Sequence, residues 1–332
     1  MRVNTLHKPL CALLLVVLFF GTGSVRSKSV DTANILRTVP QEDRESLEWF
    51  FRHFWESSYV LFGNKPMAFC CIQTTKPYKP QISEVYTFMD SICRLHLENF
   101  VQTNGWEAWK KHKHLFPSTH FVILENSHPD ESTIVLINKH AFLNKIDENI
   151  DYFKKALGSK VTSKQVYEDC LKSRDLFQDV LKNHEGLIGI LLGYGRTNAE
   201  LFYRKLQITN TTSSREFTIS KNLIPSNGFA TIDEEYKDID SRLSFFNDLS
   251  ANDFNPISLP LPGFLADNSS NETKKIKSEY TKQYKKIIQA YKNEDFLNTT
   301  INQFCNYRPD FNNSTSKIKS AFGYKTESPF SL

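Results

Sequence analysis

The chain has 332 residues, of which 40% are hydrophobic and 13% aromatic, and this composition favours a packed globule over a disordered protein. The formal net charge is +4, but three of the 41 basic residues and no acid lie in residues 1–27. The remainder of the chain therefore carries 38 basic and 37 acidic residues. A balance of +1 gives no reason to expect a nucleic-acid-binding protein.

The first 27 residues have the parts of a secretory signal peptide. Basic residues precede an unbroken apolar run at 10–20, and small residues follow it, so cleavage is expected after Ser24 or Ser27. The run is shorter than the ~20 residues that a membrane-spanning helix needs. We expect an exported chain that is periplasmic, envelope-associated or secreted. An uncleaved N-terminal membrane anchor is the alternative.

Apolar periodicity predicts the elements of residues 28–182. Helical spacing is expected at 41–61, 82–101, 105–116, 139–157 and 163–182. Short apolar runs between turn residues predict strands at 67–74, 120–125 and 133–138, with the last two joined as a hairpin. In the first strand, Cys70 and Cys71 would face opposite sides of the sheet because strand side chains alternate.

The most apolar stretch after residue 27 runs from Gly186 to Gln207. Its glycines fit neither GxGxxG nor GxxxxGK[ST], so a phosphate-binding loop is not indicated. Gly189 and Gly193 lie four residues apart, which favours one core helix packed closely on a neighbour. In a continuous helix Asn198 would lie on the apolar face as a buried polar residue that needs partners. The candidate ligand-binding residues are therefore Tyr194, Arg196, Asn198 and Glu200.

The C-terminal third has weaker patterns. Residues 209–267 are expected to form an irregular excursion with one strand-like piece at 215–219, and the acidic run at 233–240 is expected to be a solvated loop. Residues 271–305 are expected to form the C-terminal helix, followed by a loose tail at 306–332. The chain is thus predicted to be one α+β domain over 28–305, mainly helical, with a small, largely antiparallel sheet of about three strands.

The C-terminal helix is rich in lysine, and a basic amphipathic helix can lie on an anionic membrane surface. A solvated lysine face without a partner is the alternative. The lysines in question are Lys274, Lys275, Lys277, Lys282, Lys285, Lys286 and Lys292.

Metal-binding and catalytic patterns are weak. Cys93 and His96 have a ligand-like spacing, and His112, His114 or His120 could complete a metal site, but no C-x-x-C and no H-E-x-x-H accompanies them. His112 and His114 lie among lysines, which predicts a solvated face. No G-x-S-x-G occurs, so the sequence assigns no catalytic residues; we predict no metal and no cofactor.

The cysteines do not form a disulfide framework, because an odd number is scattered over a long chain. The sequence leaves two alternatives: one disulfide from Cys93 to Cys70 or Cys71, or buried free thiols. After residue 27 the cysteines are Cys70, Cys71, Cys93, Cys170 and Cys305.

Three segments occur together in this chain: LFGNKPMAF (61–69), IVLINKHAFL (134–143) and GILLGYGRTNAELFYR (189–204). Together they resemble uncharacterised exported proteins of chlamydia-like bacteria, over most of residues 40–305. That family has no assigned activity or catalytic residues. The resemblance implies a bacterial exported protein and carries no function over.

Two functions from different classes follow. The leading hypothesis is an exported, non-catalytic interaction protein, either envelope-associated or directed at a host. The alternative is an exported hydrolase or small-ligand-binding enzyme with a site around Arg196 and Asn198, near the turn at 63–67. The enzyme predicts a deep pocket lined by these residues, whereas the interaction protein predicts an exposed apolar or basic face.

Overall fold

The computed structural model describes residues 29–73, 103–127, 131–209, 224–226, 228–246, 259 and 261–307. The fold is α+β and mainly helical with a small antiparallel sheet, as predicted. None of the helices within these ranges is long and apolar enough to cross a membrane. The predicted signal peptide, the helix at 82–101, the strand at 215–219 and the tail beyond 307 lie outside the described residues.

The helices within the described ranges are α1 (Thr32–Thr38), α2 (Gln41–His53), α3 (Glu56–Leu61), α4 (103–112), α5 (Lys139–Glu148), α6 (Ile150–Leu157), α7 (Ser163–Lys172), α8 (Glu185–Leu191), α9 (Arg196–Ile208), α10 (Ile232–Arg242), α11 (Asn271–Tyr291) and α12 (Phe296–Asn306). The strands are β1 (Met67–Gln73), β2 (Phe121–Ser127), β3 (Glu131–Asn138), β4 (Leu243–Phe245) and β5 (Leu265–Asp267). A 3₁₀ turn follows α4 at Lys113–Leu115, and a π-helical turn occupies Leu176–Val180.

The three-stranded sheet has the order β1-β3-β2, and both pairings are antiparallel. Side chains of β3 alternate between two cores: Ile134 and Leu136 pack with α1–α4, α11 and α12, whereas Val135 and Ile137 pack with α5–α8. The sheet therefore separates two helical layers. Cys70 packs against the first core and Cys71 is exposed, which confirms that the two face opposite sides.

Several predicted helices are shorter than the apolar pattern indicates. The segment 41–61 breaks at Phe54, and 163–182 leaves the α-helical path after Lys172. Asn149 divides 139–157, because its backbone N–H closes α5 on Ile146 O and its carbonyl accepts from Tyr152 N to begin α6. The expected C-terminal helix is also two helices, α11 and α12, with a turn between Tyr291 and Phe296.

The predicted excursion at 209–267 holds more regular structure than expected. Its described part contains α10 and a small antiparallel sheet of β4 and β5. Thr231 caps α10 by accepting from Glu234 N at 3.2 Å, while Glu234 accepts from Ala230 N. This Thr-x-x-Glu box was visible in the sequence and marks a helix start. The acidic run is thus a helix, and its prediction as a solvated loop was wrong.

The two ends of the described chain meet. Val30 N donates to Asn306 Oδ1, and Asn306 Nδ2 donates to Val30 O, both at 2.8 Å. Nearby, Thr32 Oγ1 donates to Asn298 Oδ1 at 2.9 Å. The first helix is therefore fastened to the last.

Candidate functional site

The stretch from 186 to 207 is two helices joined by a glycine turn, and not the single helix that was predicted. Gly193 and Gly195 have φ angles of +79° and +87°, a backbone that glycine adopts without strain. A Cβ at Gly189 would lie 3.0 Å from Cβ of Ala199, so this glycine does let α8 approach α9 closely. Gly193 instead serves the turn: a Cβ there would lie 2.5 Å from Oη of Tyr280.

Asn198 is almost fully buried and joins three elements. Its Nδ2 donates to Tyr194 O at 2.9 Å and to Thr273 Oγ1 at 3.0 Å, and its Oδ1 accepts from Asp267 N at 3.0 Å. These bonds tie α9 to β5 and to the first turn of α11. The buried polar residue that the sequence singled out is therefore fully hydrogen-bonded within the protein.

Arg196 and Glu200 form an ion-paired group at the start of α9. Nε of Arg196 contacts Glu200 at 2.8 Å and Nη2 contacts Asp151 at 2.8 Å, while the guanidinium lies 5.4 Å from the ring centre of Tyr152. The hydrogen bond from Arg196 lowers the pKa of Asp151. Both candidate side chains are thus engaged with the chain's own charges.

Glu272 of α11 caps α9. Its two carboxylate oxygens accept from Arg196 N at 2.9 Å and from Thr197 N at 2.8 Å, which satisfies two free N–H groups of that helix. This cap and the Asn198 bonds together hold the first turn of α11 against the glycine turn.

Gly195→Ala should lower the free energy of unfolding by about 2 kcal/mol, because a positive φ strains alanine and the new Cβ would displace the cap. That Cβ would lie 2.7 Å from Cδ of Glu272. Gly158→Ala is the matched control, since Gly158 has φ +116° and open space around it. Urea unfolding should show the larger loss for Gly195. Equal losses would mean that strain alone acts and that the cap contributes nothing.

Tyr194, the middle residue of the glycine turn, places its ring near a buried lysine. Its ring stacks on Phe264 with centroids 4.4 Å apart, and burial raises the pKa of its phenol. Nζ of Lys65 lies 5.3 Å from the same ring. The structure thereby brings the Gly193–Gly195 turn next to the turn at 63–67.

Lys65 was missed by sequence reasoning, because the surrounding Gly63-Asn64-Lys65-Pro66 reads as an exposed turn. The residue is only 1% exposed, and its Nζ donates to Glu56 Oε2 at 2.5 Å. Tyr280 of α11 lies beside the Lys65–Glu56 pair and donates from its Oη to Gly193 O at 3.1 Å. The buried, paired Lys65 thus lies where its own turn, the glycine turn and α11 meet, and it fixes the positions of these three elements relative to one another.

A groove of about 530 Å³ lies elsewhere, between α1, α2 and the start of α12. Arg37, Arg44 and Glu48 line it, and none of the four candidate residues does. The pocket that the enzyme hypothesis predicts around Asn198 is thus not this groove.

Within the described residues, no group of three or more His, Cys, Asp or Glu side chains is placed to hold a metal ion. Cys93 and His96 lie outside those residues. His112 is buried and its Nε2 contacts Asp43 Oδ2 at 2.7 Å, so its expected solvated position was wrong. His114 is exposed.

The four described cysteines, Cys70, Cys71, Cys170 and Cys305, are free. Burial raises the pKa of Cys170 and of Cys305 to about 12. Both thiols are therefore protonated at neutral pH and are poor nucleophiles.

The outer face of α11 is strongly basic. The inner face buries Tyr280, Ile287 and Tyr291, and Glu279 is an exposed acid beside the basic face. In the part of the chain that the structure describes, no ion pair joins an acid to any of the exposed lysines of this face. These lysines, called the lysine face below, are Lys274, Lys275, Lys282, Lys285, Lys286 and Lys292. Lys277 is half-buried and is not part of it.

Comparison with known proteins gives no identity: no protein-family model, no curated protein and no solved structure matches this chain.

Proposed function

We propose that this chain is an exported, non-catalytic interaction protein that docks through the lysine face of α11 on a polyanionic partner. The observation that carries the proposal is the group of six exposed lysines on the outer face of α11, none of which forms an ion pair with an acid among the described residues. Charges that no described acid neutralises remain available to an outside partner.

The packing of α11 supports this role because it fixes the direction of the lysine face. Ser270 caps the helix by accepting from Thr273 N at 3.1 Å, and Asn198 and Glu272 hold the first turn. Tyr280 and Tyr291 anchor the inner face further along. A rigid, pre-oriented surface loses little conformational entropy when a partner binds.

The overall charge supports a local rather than a general attraction. Residues 28–332 are close to neutral, so the excess positive charge on α11 is balanced by acids elsewhere, such as those of α10. A molecule with this charge separation turns its basic helix towards an anionic partner.

Export rests on the signal-like residues 1–27 and on the resemblance to exported bacterial proteins. Fractionation of cells that make the full chain, followed by N-terminal sequencing, tests this part. We expect a chain that begins at residue 25 or 28 outside the cytoplasm. An unprocessed chain that remains in the cytoplasm would contradict it.

Docking is tested on immobilised heparin, which serves as a generic polyanion. The variant Lys275→Gln, Lys282→Gln, Lys286→Gln should elute at clearly lower salt than the parent. With three fewer positive charges, its binding releases fewer counterions from the polyanion. The matched control is Lys154→Gln, Lys155→Gln, Lys160→Gln, three exposed lysines of another region. An equal shift in both variants would show that net charge, and not the lysine face, determines retention.

A further inference from the structure

The lysine face has a two-row geometry. At about 100° and 1.5 Å per helical residue, its six lysines fall within an arc of about 120° and along about 27 Å, from Lys274 to Lys292, the C-cap residue that follows α11. One row holds Lys274, Lys285 and Lys292, and the other holds Lys275, Lys282 and Lys286. Exposed, uncharged Ser278 and Gln289 lie between the rows.

Building on the proposed function, we infer that the partner is the surface of a lipid bilayer rich in anionic headgroups, on which α11 lies flat. Two parallel rows form a two-dimensional array of charge, and a bilayer presents a plane of negative charge that meets both rows at once. A single linear polyanion would follow one row and leave the other unpaired.

The choice of side chain agrees with a lipid surface. Lysine is a compact point charge on a flexible stem, which suits mobile headgroups, whereas arginine would favour fixed, bidentate contacts with individual phosphates. Every basic residue from 271 to 292 is a lysine, and none is an arginine. The attraction is then shared among many headgroups, and the protein does not select one type of anionic lipid.

The helix rests on the surface without insertion. The exposed large apolar residues in the described part of the chain are Trp49, Phe69, Leu171, Ile224 and Phe245, and none of them belongs to α11. An interfacial helix that inserts needs an outward apolar face, and the apolar face of α11 is packed into the core. Attachment is therefore electrostatic and reversible by salt.

The test is cosedimentation of the processed full chain with vesicles of phosphatidylglycerol mixed with phosphatidylcholine, and with vesicles of phosphatidylcholine alone. We expect binding to the mixed vesicles only, with complete release in high salt. Each lysine near an anionic membrane strengthens binding about fivefold, so loss of one row should weaken binding on the order of 100-fold.

Both rows are tested separately. Lys274→Gln, Lys285→Gln, Lys292→Gln and Lys275→Gln, Lys282→Gln, Lys286→Gln should weaken vesicle binding to a similar degree, because a plane meets both rows. Lys154→Gln, Lys155→Gln, Lys160→Gln should bind as the parent does. Circular dichroism checks that the variants remain folded, which is expected because all the replaced side chains are exposed.

The outcomes separate this inference from the proposed function. Retention on heparin without binding to anionic vesicles would overturn the bilayer and leave the interaction protein standing. Binding that survives high salt, or equal binding to phosphatidylcholine, would overturn flat electrostatic attachment. Failure of the parent chain to bind either heparin or anionic vesicles would overturn the inference and the proposed function together.

Discussion

Glu56→Ala is expected to lower the free energy of unfolding by about 3–5 kcal/mol, because it leaves the buried ammonium of Lys65 without its partner. The side chain of Lys65 has no exposed surface, whereas that of Glu56 is 21% exposed. The pair is therefore asymmetric, and the loss of the carboxylate is worse than the loss of the ammonium. Urea unfolding of the purified variant measures the effect.

Two further variants test that asymmetry. Lys65→Met should cost clearly less than Glu56→Ala, since the remaining carboxylate can reach water and the methionine fills the apolar space. Glu168→Ala, which breaks the exposed Lys164–Glu168 pair, is the control and should change stability by no more than about 0.5 kcal/mol. A larger loss for Lys65→Met than for Glu56→Ala would contradict the proposed role of Glu56.

Glu235→Gln is expected to lower the free energy of unfolding by about 3 kcal/mol, because it breaks the buried pair that fastens α10 to α9. Arg204 donates to the carboxylate from Nε at 2.7 Å and Nη2 at 2.8 Å, and Ser226 donates from its backbone N at 3.0 Å and its Oγ at 2.5 Å. The amide of glutamine brings an N–H₂ group towards these donors. Glu234→Gln, at the exposed neighbouring position, should change stability by less than about 1 kcal/mol.

The same carboxylate predicts an acid-sensitive stability. The hydrogen bonds from Arg204 lower the pKa of Glu235 to about 2 in the folded protein, below its ordinary value of 4.5. Its contribution, about 3 kcal/mol for this shift, is present above pH 4.5 and is lost as the pH falls from 4.5 to 2. Between pH 4.5 and 2, the free energy of unfolding should fall less for Glu235→Gln than for the parent, and urea unfolding at several pH values measures this difference. Parallel curves for parent and variant would disprove the assignment.

The sheet could be predicted because its information is local. The runs around Ile123 and Ile134 are short, continuously apolar and separated by turn residues, which is enough to predict two strands joined as a hairpin. The breaks within helices could not be predicted in the same way. Asn149 ends one helix and begins the next while the apolar spacing continues across it, so the periodic pattern conceals the break.

The candidate site illustrates where sequence information stops. Asn198 was correctly expected to be buried and in need of partners, but its partners Thr273 and Asp267 lie about 70 positions away in the chain. Lys65 gave no signal at all. Its burial depends on α3, α11 and the glycine turn meeting around it, and a lysine in a Gly-Asn-Lys-Pro turn is ordinarily exposed.

The fastening of Val30 to Asn306 has a consequence for the order of events during synthesis. At about 5–20 residues per second, a ribosome makes these two residues roughly 15–55 s apart, since 276 positions separate them. Until α12 is made, α1 and α2 lack one of the helices on which they pack, and the larger core stays open. The larger core can therefore close only after α12 has been made, whereas the described residues of the core formed with α5–α8 end at Ala199.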